Sequence, residues 1–129
     1  MILDTSAIIA MLLNEPGSEL LKAAIRGRDD LHVGSPTVLE AGMVISSRLR
    51  KDGRPLIGDM LRQLNITIIP FDDSHAWAAT GAFIRFGKGR HPAGLNFGDC
   101  MSYAIATIRQ MPLLYTGNDF GKTDVISAL

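Results

Sequence analysis

Residues 1–7 read Met1-Ile2-Leu3-Asp4-Thr5-Ser6-Ala7, so an apolar run is followed at once by an acid and two hydroxyl residues. The apolar run predicts a short buried strand. Thr5 and Ser6 then predict the cap of a helix that runs through residues 7–13. A strand that leads directly into a helix is typical of α/β folds, and it places Asp4 at the carboxyl end of the first strand.

The same alternation of strand and helix continues along the chain. Apolar or β-branched runs predict three further strands, at residues 31–33, 66–70 and 113–115. Amphipathic spacing and cap residues predict helices at residues 18–25, 35–51, 55–64, 72–86 and 96–110, with Ser35 as the cap of the second of these. Strands that alternate with helices predict an α/β fold with a parallel sheet.

Length and composition limit the class of protein. The 129 residues fit one domain, 1–129, and 47% apolar with 20% charged residues is ordinary for a globular protein. Thirteen basic residues balance thirteen acidic ones, which disfavours a protein that coats nucleic acid by charge alone. Cys100 is the only cysteine, and the apolar run at 7–13 is too short for a signal peptide or membrane span. We therefore expect a cytoplasmic protein without membrane association.

Four acids stand in positions that ordinary surface acids rarely occupy: Asp4, Glu40, Asp99 and Asp119. Asp4 and Asp119 follow predicted strands, and Glu40 and Asp99 lie in the first turns of predicted helices. Because these positions meet at one edge of a parallel sheet, we expect the four acids to converge. Repulsion among clustered carboxylates is usually offset by a hard divalent cation. The pattern favours metal-dependent phosphodiester chemistry.

Each acid also has a structural explanation. Asp4 can cap the first helix, Asp99 can complement a helix dipole, and Asp119 can form a turn. Glu40 is harder to explain in this way, because a carboxylate among apolar helical neighbours is costly without a partner. Asp124 can either reach the same site or cap the last turn.

The segments that hold these acids resemble, in order and spacing, those of a known family. They are residues 1–7, Leu39-Glu40-Ala41, Leu95-Asn96-Phe97-Gly98-Asp99-Cys100 and Leu114-Tyr115-Thr116-Gly117-Asn118-Asp119-Phe120. The family is that of the PIN-domain ribonucleases, and specifically the VapC toxins of type II (VapBC) toxin–antitoxin pairs. The resemblance implies a three-layer α/β/α domain with a central parallel sheet of about four to five strands.

The resemblance also implies an activity, a site and partners. The activity is Mg²⁺- or Mn²⁺-dependent hydrolysis of RNA phosphodiester bonds by an endoribonuclease toxin. The four acids fall on the family's catalytic and metal-binding quartet, with Asp4 and Asp99 on the positions most firmly tied to the metal. Supporting polar positions of the family are matched by Thr5, Ser6, Asn96 and Thr116. Such toxins usually form homodimers and bind a cognate VapB-like antitoxin in heterotetramers or larger assemblies.

Binding RNA requires cations despite the balanced total charge. Two groups are candidates: Arg85, Lys88 and Arg90 around a glycine-rich loop, and Arg48, Arg50, Lys51 and Arg54 at a helix end. The first group is assigned here to substrate binding, and a solvated face explains such runs about equally well. The loop is not a P-loop, because the Gly-Lys-Ser/Thr ending is absent.

Other chemistries fit less well. His32, His75 and His91 lack a second His or a Cys at metal-ligand spacing, and Cys100 lacks a basic partner. A phosphatase with an aspartyl-phosphate intermediate would need an Asp where Ser6 stands, and a flap-type DNA nuclease would be larger. The alternative of a different class is a catalytically silent PIN-fold module that binds RNA or protein, and the four intact acids argue against it.

Overall fold

Four short parallel strands form the centre of the molecule in a computed structural model that describes residues 1–129. They are β1 (Ile2–Leu3), β2 (His32–Gly34), β3 (Thr67–Ile69) and β4 (Leu113–Leu114), in the order β3-β2-β1-β4. Every pairing is parallel. The carboxyl ends of the strands therefore lie at one edge, as predicted.

Six helices connect and follow the strands at nearly the predicted positions: α1 (Thr5–Leu12), α2 (Ser18–Ile25), α3 (Ser35–Leu49), α4 (Arg54–Gln63), α5 (Asp73–Phe86) and α6 (Phe97–Arg109). A 3-10 turn, Phe120–Lys122, follows β4. None of the helices combines the length and the apolar composition that crossing a membrane requires.

The two faces of the sheet bury separate apolar clusters. Successive residues of a strand point to opposite faces. Leu3 and Leu114 pack with residues of α1, α2, α3 and α4, whereas Ile2 and Leu113 pack with residues of α5 and α6. Helices thus cover both faces of the sheet, and the three-layer α/β/α architecture is confirmed.

Two predicted helix caps are wrong. Asp4, rather than Thr5 or Ser6, occupies the N-cap of α1, and its carboxylate accepts a hydrogen bond from the Ser6 amide. Ser35 is the first residue of α3 and not its cap. Its hydroxyl instead accepts a hydrogen bond from the amide of Phe71 at 3.2 Å, so it serves the loop after β3.

Candidate functional site

An acidic cavity of about 320 Å³ opens at the carboxyl edge of the sheet. Three of the four predicted acids line it: Asp4, Glu40 and Asp99. All four predicted supporting residues line it as well: Thr5, Ser6, Asn96 and Thr116. The ends of β1 and β4 and the helices α1, α3 and α6 supply these side chains, which explains how segments far apart in sequence meet.

Asp4 is almost fully buried, with 4% of its surface exposed. Its Oδ2 accepts hydrogen bonds from the Ser6 amide at 2.9 Å and from the Ser6 hydroxyl at 2.6 Å, while Oδ1 has no hydrogen-bond partner. Ser6 Oγ in turn accepts a hydrogen bond from the Thr116 amide at 3.1 Å. Ser6 therefore joins Asp4 to the segment after β4 and holds the carboxylate with one oxygen free.

Asp99 lies in the first turn of α6 and forms a capping box with Asn96. The Asp99 amide donates to Asn96 Oδ1, and the Asn96 amide donates to Asp99 Oδ2, both at 2.9 Å. Burial raises the pKa of Asp99, the Asn96 amide opposes this rise, and the charges of Asp4 and Asp119 add to it. One oxygen of Asp99 thus serves the helix, and the other is left for a ligand.

Glu40 reaches from α3 to the start of α6. Burial raises the pKa of Glu40, the charges of Asp4 and Asp99 raise it further, and a hydrogen bond from the Thr5 hydroxyl opposes the rise. The Glu40 carboxylate lies so close to Gly98 that a Cβ at that position would collide with it. The absence of a side chain at Gly98 therefore lets the Glu40 carboxylate approach Asp99. No role was predicted for Gly98 from the sequence.

Asp119 does not line the cavity. It is exposed and directly precedes the 3-10 turn after β4. Its charge is the smallest of the causes that raise the pKa of Asp99, after burial and the charge of Asp4. The role of Asp119 at the metal site stays a prediction.

The predicted substrate-binding cations are not brought to the cavity. Arg85 pairs with Asp124 at 2.7 Å, and Arg90 donates to the carbonyl oxygen of Ile84 at 3.3 Å. Lys88 is exposed on the loop after α5. Their assignment to RNA binding therefore stays a prediction, for a surface outside the cavity. Arg85 is held there by Asp124 of the C-terminal segment. Asp124 itself also lies outside the cavity lining.

One cation does line the cavity, and it is Arg48 of α3. Its Nη1 donates to Oε1 of Glu15 at 2.7 Å, and Glu15 lies in the connection between α1 and α2. Arg48 belongs to the other predicted cationic group, whereas no chemistry was predicted for Glu15. A contact across 33 residues leaves no local pattern in the sequence by which to find it.

The histidines and the cysteine lie outside the cavity lining. His75 closes a capping box with Asp72, as expected of a residue among helix caps, and His91 Nδ1 accepts a hydrogen bond from the Ala93 amide at 3.0 Å. Burial raises the pKa of the Cys100 thiol, which disfavours a nucleophilic thiolate.

The donor set of the cavity suits a hard divalent cation. Burial raises the pKa values of Glu40 and Asp99, and the charge of Asp4 adds to both. Glu15 holds the one cation of the lining. The side chains alone form no complete cage, since no three acidic, His or Cys groups surround one point at ligand distance. Mg²⁺ and Mn²⁺ accept oxygen ligands, and Mg²⁺ usually keeps several waters, so an incomplete carboxylate set fits them better than Zn²⁺.

Comparison with known proteins gives consistent results. The PIN domain family model matches residues 1–126. A VapC ribonuclease of Mycobacterium bovis is 41% identical over 126 residues, which cover 97% of this chain and 91% of the relative. Ribonuclease VapC of Mycolicibacterium smegmatis is 41% identical over 125 residues, which cover 97% of each chain.

Two solved structures share the fold. Mycobacterium tuberculosis VapC20, described as a toxin that cleaves the sarcin–ricin loop, has a TM-score of 0.78 at 12% identity, covering 97% of this chain and 95% of that one. A toxin–antitoxin complex from Klebsiella pneumoniae has a TM-score of 0.71 at 18% identity, covering 99% and 97%. At these identities the likeness concerns the fold alone.

Proposed function

We propose that this chain, which belongs to the PIN-domain family and is an endoribonuclease of the VapC toxin group, cleaves RNA with a divalent cation bound in the acidic cavity. The convergence of Asp4, Glu40 and Asp99 on one cavity carries the proposal. The names of the relatives support RNA as the substrate, and the crowding of negative charge supports the cation.

Mg²⁺ or Mn²⁺, when bound, supplies a Lewis acid that neutralises charge on the scissile phosphate and makes water more acidic. Asp4 and Asp99 would hold it through the oxygens that have no hydrogen-bond partner in the protein. Their other oxygens stay bonded to the first turns of α1 and α6, which fixes the position of both carboxylates. Glu40 completes the negative cavity beside Asp4 and Asp99.

Substitution of either aspartate by asparagine tests the proposal. In Asp4→Asn and Asp99→Asn we expect Mg²⁺- or Mn²⁺-dependent cleavage of total RNA to fall at least about 100-fold. Loss of a residue that only hydrogen-bonds to a metal ligand lowers activity by about 10- to 100-fold, and loss of the ligand itself should cost more. The amide oxygen can still accept the capping hydrogen bonds, so Tm should change little.

The matched control is Asp124→Asn, which removes the same charge outside the cavity and should cleave RNA like the wild type. EDTA should stop cleavage in both active proteins. Full activity in either site variant would refute the assignment of the metal ligands. RNA binding by the wild type without any metal-dependent cleavage would instead favour the silent binding module.

An antitoxin partner follows from the VapC relatives. We infer that it is a VapB-like protein whose binding stops RNA cleavage, that the free toxin is a homodimer, and that both act in the cytoplasm as a heterotetramer or larger complex. Light scattering on the purified toxin, with and without a VapB-like antitoxin, measures these masses. A monomeric toxin at micromolar concentration would contradict the dimer.

A further inference from the structure

Arg48 and Glu15 form an ion pair in the cavity, and neither residue belongs to the proposed metal ligands. Both side chains line the cavity, and 2.7 Å separates Nη1 from Oε1. The side chain of Arg48 is 54% exposed and that of Glu15 is 35% exposed, so the pair is open to a ligand. Arg48 is also the one lysine or arginine of the lining.

Five of the twelve other Lys and Arg side chains are held by acids away from the cavity, and none of the twelve lines it. Such pairs involve Lys22 with Glu19, Arg28 with Asp30, Arg54 with Asp52, Arg62 with Asp59 and Arg85 with Asp124. An RNA backbone that approaches three carboxylates meets a repulsive field unless a cation next to them neutralises a phosphate. Arg48 is placed to do so.

We propose that Arg48 binds a backbone phosphate of the RNA beside the metal site, and that Glu15 holds the guanidinium there and competes with that phosphate. The inference rests on the proposed ribonuclease function. Arg48 donates a single hydrogen bond within the protein, to Glu15. A guanidinium has five N–H donors, so enough remain for a bidentate contact with phosphate.

A purely structural role predicts a different result. If the pair only ties the connection between α1 and α2 to α3, removal of either partner breaks the same bridge. Both variants should then behave alike, with small effects, because exposed ion pairs contribute little to stability. If Arg48 binds phosphate, the two removals should act in opposite directions on RNA affinity.

Binding of a short fluorescent single-stranded RNA, measured in EDTA over a salt series, separates these roles. Arg48→Ala should weaken binding and reduce the slope of log Kd against log salt by about 0.7, the value for one phosphate contact on a single strand. Arg48→Lys should keep the slope but lose part of the affinity. Glu15→Gln should bind RNA more tightly than the wild type.

The matched control is Arg28→Ala. It breaks a similar exposed pair, with Asp30, which precedes β2 and so lies at the opposite edge of the sheet. Its affinity and salt slope should equal those of the wild type. In cleavage assays with Mn²⁺, Arg48→Ala should raise KM with little change in kcat.

The outcomes distinguish this inference from the proposed function. A wild-type protein that neither binds nor cleaves RNA overturns both. A wild type that cleaves RNA, together with an Arg48→Ala variant of unchanged KM and salt slope, overturns the role of Arg48 alone. Equal weakening by Arg48→Ala and Glu15→Gln also overturns it, in favour of a structural bridge.

Discussion

At Asp4 and Asp99, the two oxygens of one carboxylate have different surroundings. One oxygen accepts hydrogen bonds at the start of a helix, and the other has no protein partner. Replacement by alanine would remove the N-cap of α1 at Asp4, at about 0.5–2 kcal/mol, or one half of the capping box of α6 at Asp99, together with any metal ligand. Asparagine separates the two effects, because it retains an acceptor and loses the charge.

Gly98 provides a prediction at the same scale. In Gly98→Ala the added methyl would collide with the Glu40 carboxylate, which must rotate away from Asp99. The displaced group is the end of a flexible side chain, so we expect little change in Tm. Activity should fall about 10- to 100-fold, as when a residue that supports a metal ligand is lost.

Cleavage assays and thermal unfolding of Gly98→Ala check this expectation. Gly42→Ala is a suitable control, because it lies in α3 and a Cβ there meets no atom within 4 Å. Wild-type cleavage by Gly98→Ala would mean that the position of Glu40 does not matter to the reaction.

Glu40 should destabilise the protein when no cation is bound. Burial and the charges of Asp4 and Asp99 raise its pKa, so ionised Glu40 has a higher free energy in the folded than in the unfolded state, and this cost is present above the raised pKa. In EDTA, Glu40→Gln should therefore unfold at a higher temperature than the wild type.

Added cation should reduce this difference. At ten times its Kd, Mg²⁺ stabilises a single-site protein by about 1.4 kcal/mol, and the variant should gain less because it has lost a negative group. Calorimetry with and without Mg²⁺ measures both effects. An equal Mg²⁺ shift in the two proteins would exclude Glu40 from the metal site.

Among the elements, α5, α6 and the C-terminal segment are joined by one acid. Asp124 accepts a hydrogen bond from the Tyr103 hydroxyl at 2.5 Å and pairs with Arg85. The hydrogen bond from Tyr103 lowers the pKa of Asp124 most, and the contact with Arg85 lowers it further. A lowered pKa in the folded state gives stability that is present above the ordinary value of 3.8 and is lost as the pH falls below it.

We therefore expect Asp124→Asn to lower Tm slightly at pH 7. The difference from the wild type should shrink as the pH falls below 3.8, where the unfolded chain takes up the proton first, and should vanish below the lowered pKa of folded Asp124. Melting curves over this pH range provide the measurement. A difference independent of pH would show that the charge of Asp124 contributes nothing.

Most elements could be predicted from the sequence, because strands and helices follow from local apolar patterns and caps. Ser35 was misassigned because its hydroxyl bonds to Phe71, which is distant in sequence. The same limit applies to the site. The acids were identified from their positions after strands and in first helical turns, whereas the contacts of Arg48 with Glu15 and of Gly98 with Glu40 depend on how separate elements pack.

For the whole molecule, the two apolar clusters should unfold together. Ile8 lies in the cluster under α1 to α4, and Ile105 lies in the cluster under α5 and α6. Ile8→Val and Ile105→Val should each cost about 0.5–1.5 kcal/mol of unfolding free energy. Because the sheet separates the sites, the double variant should show the sum within about 0.5 kcal/mol.

Urea unfolding followed by far-UV circular dichroism and by tryptophan fluorescence tests this expectation. Both signals should give one transition with the wild-type m-value in all three variants. Two separate transitions would show that the predicted single domain, 1–129, consists of two cooperative units.

The two different oxygens of the Asp4 and Asp99 carboxylates have a genetic consequence. Aspartate and asparagine codons differ by one base, and the exchange at Asp4 or Asp99 keeps an acceptor for the capping hydrogen bonds. A single point mutation should therefore abolish the ribonuclease activity of the toxin while leaving a folded protein that still binds its antitoxin. Cells under selection against toxicity have a short mutational path to such alleles, and these alleles would continue to compete with the active toxin for the antitoxin.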